Sequence, residues 1–387
     1  MCIAKKITGI LTAMVCAAGI FAGSYSSLIA EAEYYIGLEN NGELWYDKVD
    51  EDGDGTSDFV AIANCSKSLT ELEVPSEIDG IPVKVIGDMA FYDCTSLTSL
   101  TIPDSIIEIG YGAFIGTTWL EEKKEENPMV ITNGILIDGS TLTGDIVIPD
   151  TVKIIGNGAF IDNANLTSVT IPDSVISIGD SAFNNCANLA SVTLSNSITS
   201  IIRWTFYGCT SLTNISIPEG VTYIDLEAFN NCTSLSSITI PETVTSIGRR
   251  AFGACKSLES ITIENPDCII EDSVETIWNY MTYDKKTDIL YYHYEGVIYG
   301  MENSTAQTYA EKYDINFGVI DEDAPAIIPG DISGNGKIDL YDAIEICKSL
   351  MGMRTFTDEE KAIADYDGNG KVDLYDAIGI AKKLLEK

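Results

Sequence analysis

The stretch LTSVTIPDSVISIGDSAFNNCAN, Leu166–Asn188, decides the fold. Its first part alternates as a strand does, and the pattern predicts Leu166, Val169 and Ile171 facing inward. Ile171-Pro172 ends that strand, because proline brings no N–H to a ladder. Val175 and Ile178 then point back in, and Ala182, Phe183 and Cys186 close the turn. The frame recurs: Phe91, Phe114, Phe160, Phe183, Phe206, Phe229 and Phe252 are separated by 23, 46, 23, 23, 23 and 23 residues. The double gap spans TTWLEEKKEENPMVITNGILIDGST, Thr117–Thr141, a diverged turn that keeps the register and is expected to bulge from one side. A unit of this length cannot bury its apolar positions alone. Stacked units share one continuous core, so a solenoid with parallel sheets is the physical solution.

The recurring IPDSVxxIGxxAFxxCxxL frame resembles the BspA-like class of bacterial leucine-rich repeats, over about residues 60–320. Leu194-Ser195 stands in place of Ile-Pro, and Ile202 and Thr205 in place of the usual Gly and Ala, so that unit is expected to be locally distorted. Solenoid ends expose core and sheet edge and need caps. Residues 33–75 are expected to form an N-terminal cap, and residues 76–320 the repeats with a closing unit of a small helix and a last strand at 297–320. Within the first cap, Asp50, Asp52, Asp54 and Asp58 resemble a calcium loop. No amphipathic helix follows them, so an acidic hairpin turn is the expected structure.

At the N-terminus, Lys5 and Lys6 precede an apolar run, and Ala30-Glu31-Ala32 offers small residues at a cleavage site; residues 1–32 read as a secretory signal peptide. No later run is long enough to insert in a membrane. The net charge of -36 argues against nucleic acid as a partner. Cys186, Cys209, Cys232 and Cys255 recur at the repeat period and Cys94 sits four periods earlier, which predicts packed free thiols in a column rather than disulfide staples.

Two strand columns are expected to face solvent: Thr101, Thr170, Thr193, Ser216, Thr239 and Thr262, and Ser99, Ser168, Ser191, Asn214, Ser237 and Ser260. They offer no aromatic platform, and a structural hydroxyl ladder is the expected role. Candidate contact residues of the solenoid are Trp204, which occupies a column otherwise held by Ser181, Glu227 and Arg250, and Trp278, Tyr283 and Tyr292 of an aromatic-rich segment. The single histidine, His293, lies in that segment, and no nucleophile or metalloprotease motif accompanies it, so the chain reads as a non-enzyme.

After the proline-containing stretch at 321–330, read as a linker, two near-identical segments follow: DISGNGKIDLYDAIEICK and DYDGNGKVDLYDAIGIAK share 13 of 18 residues. In the first, Asp331, Ser333, Asn335, Lys337 (by its carbonyl), Asp339 and Asp342 stand at positions 1, 3, 5, 7, 9 and 12 of a calcium loop. In the second, Asp365, Asp367, Asn369, Lys371, Asp373 and Asp376 do the same. Gly336 and Gly370 hold position 6, where the loop turns sharply. Alternating oxygen donors suit a hard cation, so two calcium ions are expected, the first loop being weaker for having Ser333 where the second has Asp367. Pro329-Gly330 forbids a helix entering the first loop. Each unit is therefore loop then exiting helix, from Tyr341 to about Leu350 and from Tyr375 to about Leu385, with a short connecting helix ending at Ala364.

Duplicated loop–helix units of this kind resemble a type I dockerin, over residues 331–387. The fold expected for the whole chain is thus an α+β leucine-rich repeat solenoid carrying a small all-α calcium-binding domain. The resemblance implies a cohesin module of a scaffolding protein as partner, contacted through Leu340, Tyr341, Cys347 and Lys348 and through Leu374, Tyr375, Ala381 and Lys382. Leu-Tyr replaces the family's Ser-Thr pair in both copies, which implies a more hydrophobic face and a different partner class. The near identity of the two faces implies that either one can dock. The expectation for the whole is a secreted, non-catalytic cellulosome or cell-surface component, accessory to polysaccharide breakdown, whose solenoid binds a protein. A glycan-binding solenoid and an unrecognised hydrolase are the alternatives.

Overall fold

The computed structural model describes residues 38–284, 289–320, 332, 340–351, 355–356, 358–366, 368 and 371–385. The expected signal peptide, the linker and most calcium-loop positions lie outside the described residues.

The solenoid opens with an antiparallel pair, Leu44–Val49 and Phe59–Cys65, joined by the acidic turn. Phe59–Cys65 then pairs in parallel with Ile81–Ile86, the first strand of the repeating array, which pairs in parallel with Glu108–Ile109. An antiparallel hairpin thus covers the edge that the first repeat would otherwise expose.

Each later repeat contributes one longer and one very short strand, stacked on the next repeat in parallel. Ser168 pairs with Ser191 and Thr170 with Thr193; Ser237 pairs with Ser260 and Thr239 with Thr262. The short strands stack likewise, Ile154–Ile155 on Ser177–Ile178, Ser200–Ile201 on Tyr223–Ile224, and Tyr223–Ile224 on Ser246–Ile247. Alternation does the sorting: Val169, Val192, Ile238 and Ile261 are buried, while Thr170, Thr193 and Thr239 face solvent.

The turn between these strands carries most of the packing. Phe160, Phe183, Phe206, Phe229 and Phe252 are fully buried and stack nearly parallel, with centroids 4.9–5.5 Å apart. Beside them the Cys186, Cys209, Cys232 and Cys255 thiols donate to the carbonyls of Phe160, Phe183, Phe206 and Phe229 at 3.0–3.1 Å. These are free thiols in a column, each bonded to the repeat before it. Two positions per turn adopt left-handed backbone: Ser181, Trp204, Glu227 and Arg250 in one column, and Asp162, Asn185, Asn231 and Ala254 in the other, all with φ between 55° and 63°.

The diverged turn does more than bulge. It forms helix α1 (Thr118–Glu126), capped by Thr117, followed by an antiparallel pair, Val130–Thr132 with Ile135–Asp138. Trp119 and Leu120 are buried, and the Trp119 ring lies 5.1 Å from that of Phe114. The helix therefore plugs the phenylalanine stack between Phe114 and Phe160 and divides the core into two clusters.

The unit with Ile202 is distorted. The short-strand ladder stops at Ser177–Ile178 and restarts at Ser200–Ile201, and no strand forms at 214–216 between Ser191–Thr193 and Ser237–Ile240. The cause is steric: a Cβ at Gly179 would lie 2.5 Å from Asn157 Oδ1, and Ile202 occupies the equivalent place one turn later. Thr205 and Ser195, both buried, are accommodated by donating to the Ile202 and Val175 carbonyls at 2.7 and 2.6 Å.

The solenoid closes with Val297–Gly300, helix α2 (Thr305–Lys312) and Asn316–Val319, the two strands parallel. Ala306, Tyr309 and Ala310 of α2 are buried on the last repeat. The C-terminal segment holds helices α3 (Leu340–Leu350), α4 (Asp358–Ala364) and α5 (Leu374–Leu385) around a small core of Ile332, Ala343, Ile346, Phe356, Ala364, Ala377 and Ile380.

Candidate functional site

Helices α3 and α5 bury equivalent residues because their sequences repeat. Ala343 with Ile346, and Ala377 with Ile380, face the shared core at helical spacing. In the first turn of each helix stands a fully buried carboxylate, Asp342 in α3 and Asp376 in α5. At the start of α5, Asp373 Oδ1 accepts the Tyr375 N–H and Asp376 Oδ2 accepts the Asp373 N–H, both at 2.7 Å. Asp373 thus caps the helix through the second helical N–H, and Asp376 reaches back to the Asp373 N–H, so both carboxylates are engaged at the start of α5.

Of the expected calcium ligands, Asp342, Asp365, Lys371, Asp373 and Asp376 are described. Asp331, Ser333, Asn335, Lys337, Asp339, Asp367 and Asn369 lie outside the described residues. The donor set fits calcium: it is all oxygen, mostly carboxylate, and its position-12 carboxylate is buried in both units. Burying a carboxylate beside an apolar core is costly unless its charge is offset, and a divalent cation held by the adjoining loop would add to that compensation.

The expected partner-facing residues divide. Leu374 and Tyr375 are 57% and 71% exposed, and Lys382 is exposed. Lys348 is half-buried and bonds Glu345 at 2.5 Å. Cys347 packs against the domain core, and Ala381 is half-buried. The side chains of Leu340 and Tyr341 lie outside the described part. Two residues escaped the sequence reading: Ile344 and Ile378 are 41% and 38% exposed at identical places on the two helices. Ile378 lies three residues after Tyr375 and four before Lys382, so all three share one helix face. That spacing was the available signal.

In the solenoid, Trp204 is held by its neighbours. It is half-buried in left-handed backbone, its Nε1 donates to Glu227 Oε2 at 3.2 Å, and the Arg203 guanidinium lies 4.6 Å over its ring. It belongs to a polar ladder that runs from Asp180–Arg203 at 2.7 Å through Glu227–Arg250 to the pairs of Glu275 with Arg249 and Arg250. Burial pushes the Asp180 carboxyl up to about 6, against the pull of Arg203. Glu108 is pushed up to about 7 by burial, with Asp88 and Asp180 adding to the effect.

The aromatic-rich segment forms an antiparallel hairpin, Tyr280–Asp284 with Ile289–His293, paired to no other strand of the described residues. Trp278 and Tyr292 meet edge to face at its root, 5.0 Å between centroids, and Trp278 Nε1 lies against Gly253 of the last repeat. Tyr283 is 53% exposed, and Tyr280, Met281, Ile289, Leu290 and Tyr291 are exposed with it. His293 stacks on Tyr280 and bonds Thr282 through Nε2 at 2.9 Å.

In the N-terminal cap, the carboxylates of Asp50, Asp52 and Asp58 gather within 4.8 Å. Asp50 accepts the Gly53 and Gly55 N–H groups and Asp58 accepts that of Glu51, bonds that shape the turn itself. No described helix is long and apolar enough to cross a membrane.

Six copies of the BspA type leucine-rich repeat region match across residues 60–161 and 137–259, just over half of the chain, and the dockerin type I domain matches residues 329–385. No curated protein matches. Among solved structures, the chain is similar to a leucine-rich cell surface protein from Faecalibacterium prausnitzii, with 22% identity, covering 62% of this chain and 96% of that one at a TM-score of 0.35. A leucine-rich repeat protein from Bacteroides ovatus matches at 22% identity over 74% and 77%, TM-score 0.35, and the pneumococcal vaccine antigen PcpA at 19% over 66% and 68%, TM-score 0.38. The chain belongs to the BspA-type leucine-rich repeat proteins and carries a C-terminal type I dockerin domain.

Proposed function

We propose that this is a secreted, non-catalytic component that is plugged into a cellulosome or cell-surface scaffold by calcium-dependent binding of its dockerin to a cohesin, and whose solenoid presents a protein-binding surface. The observation that carries the reading is the pair of equivalent buried carboxylates, Asp342 and Asp376, each opening a helix at the end of an acidic loop within a segment matched as a dockerin. Calcium, when bound, neutralises the clustered carboxylates and thereby ties the loops to the helices. Two ions are the stoichiometry that the duplicated loops support.

The outward faces of α3 and α5 then form the plug. Tyr375, Ile378 and Lys382 on one helix, with Tyr341, Ile344 and Lys348 as their counterparts, make two alternative docking faces of the same chemistry. The exposed hairpin around Tyr283 and Leu290 is the surface by which the solenoid meets its own protein partner, since exposed tyrosine and aliphatic side chains are the usual anchors of interfaces. Its exposed tyrosines favour glycan binding as the second reading. Delivery of such a solenoid to a scaffold is an accessory part in polysaccharide breakdown.

Fusion of residues 321–387 to an unrelated reporter tests the plug. Capture of the reporter on immobilised cohesins in calcium, reversed by chelator, is the expected result; no capture by any cohesin class overturns it. Retention of the full chain in polysaccharide gels, lost in Tyr283→Ser/Tyr291→Ser, moves the solenoid to the glycan reading.

A further inference from the structure

The cysteine column has an exception at its first member. Cys186, Cys209, Cys232 and Cys255 each donate to a phenylalanine carbonyl of the preceding repeat. Cys94 is the first of the series, and the repeat before it has no phenylalanine in the frame. In the place of that carbonyl stands a second sulfur: Cys65 Sγ lies 2.8 Å from Cys94 Sγ, both residues buried. Cys65 falls outside the repeat register. It is the last residue of the strand Phe59–Cys65, whose hairpin covers the open end of the array.

We propose that Cys65 and Cys94 form a disulfide in the exported protein, locking the N-terminal cap onto the first repeat, while the other column thiols stay reduced. Approach to bonding distance needs only small side-chain adjustment, because the sulfurs already touch. The oxidant is a small disulfide, or the disulfide of an oxidoreductase. The thiolate of one cysteine attacks a sulfur of that oxidant and releases one thiol. The second cysteine, deprotonated in turn, attacks the mixed disulfide and releases the other. Two protein thiols and one disulfide thus become one protein disulfide and two free thiols. Burial pushes the Cys65 thiol far above its ordinary range, so the step belongs to folding, before the cap closes over the pair.

The position is suited to a lock. Caps are the ends from which stacked repeats fray, and the bond closes a loop of about 30 residues, long enough to constrain the unfolded chain substantially. The rest of the column lies within one continuous core, where each thiol already has an acceptor.

The full chain, refolded in a mixture of reduced and oxidised glutathione, is quenched with an alkylating agent and digested without reductant. The expected product is a linked peptide pair containing Cys65 and Cys94, with Cys186, Cys209, Cys232, Cys255 and Cys268 alkylated. Recovery of Cys65 and Cys94 as alkylated thiols, or linked to other cysteines, overturns the proposal. As a second readout, reductant is expected to speed proteolysis between Glu39 and Cys65 at least about tenfold. The variant Cys65→Ala/Cys94→Ala should be cut fast with or without reductant. A rate that reductant does not change in the unsubstituted chain overturns the locking role.

Discussion

Asp376 Oδ2 accepts the Asp373 backbone N–H at 2.7 Å, while Asp373 Oδ1 accepts the Tyr375 N–H at the same distance. The residues at positions 9 and 12 of the second loop therefore also hold the first turn of α5. Asp376→Asn keeps an acceptor for the cap and removes one charge. Calorimetry on the full chain should show the tighter of two calcium events weakened by about tenfold or more. Two equal sites in the unsubstituted chain would count against the distinction drawn from Ser333 and Asp367.

The two helix faces are expected to substitute for one another. Tyr375→Ala/Ile378→Ala should change cohesin affinity by less than about threefold, because the α3 face remains. Adding Tyr341→Ala/Ile344→Ala should weaken it by about a hundredfold or more, as removal of apolar anchors does. Loss of binding from the first pair alone, with calcium uptake intact, would show a single face at work.

Ala254 sits at φ 57°, in the column where other turns place Asp162, Asn185, Gly208 and Asn231. A Cβ in left-handed backbone costs about 1 kcal/mol, which glycine avoids. Ala254→Gly should raise the solenoid melting temperature by about 2–4 °C. A fall would mean that unfolded-chain entropy outweighs the local strain.

Glu108, pushed up to about 7 by burial and by Asp88 and Asp180, binds its proton more tightly folded than unfolded. Its ionisation therefore costs stability as pH rises from its ordinary value through about 7. Glu108→Gln should melt a few degrees above the unsubstituted chain at about pH 8, and the gap should close toward about pH 4. An equal gap at both ends would refute the linkage.

The repeat was legible because one position admits only a large apolar ring. Phe160 to Phe252 are stacked face to face, so any slip of register would unstack them all. The distorted unit was legible from Ile202, a side chain where glycine meets its neighbour's backbone. Trp204 was legible as a residue outside the apolar frame, but not its partner: Glu227, one repeat on, takes its indole N–H. Helix α1 was hidden because its lysines and glutamates read as solvated, and only Trp119 and Leu120 reach the core. The hairpin's alternation fits a strand packed on one face, and sequence alone does not say that both faces stay open. Ile344 and Ile378 were readable from helical spacing, as the residues that share a face with the tyrosine and lysine of each helix.

Titration of the full chain into a panel of immobilised cohesins, in calcium and again after chelation, tests the central claim most directly. Saturable binding to at least one cohesin class, abolished by chelator and restored by fresh calcium, is the expected result. A chain that takes up calcium, keeps α3 and α5 folded and binds none of the cohesins would contradict it.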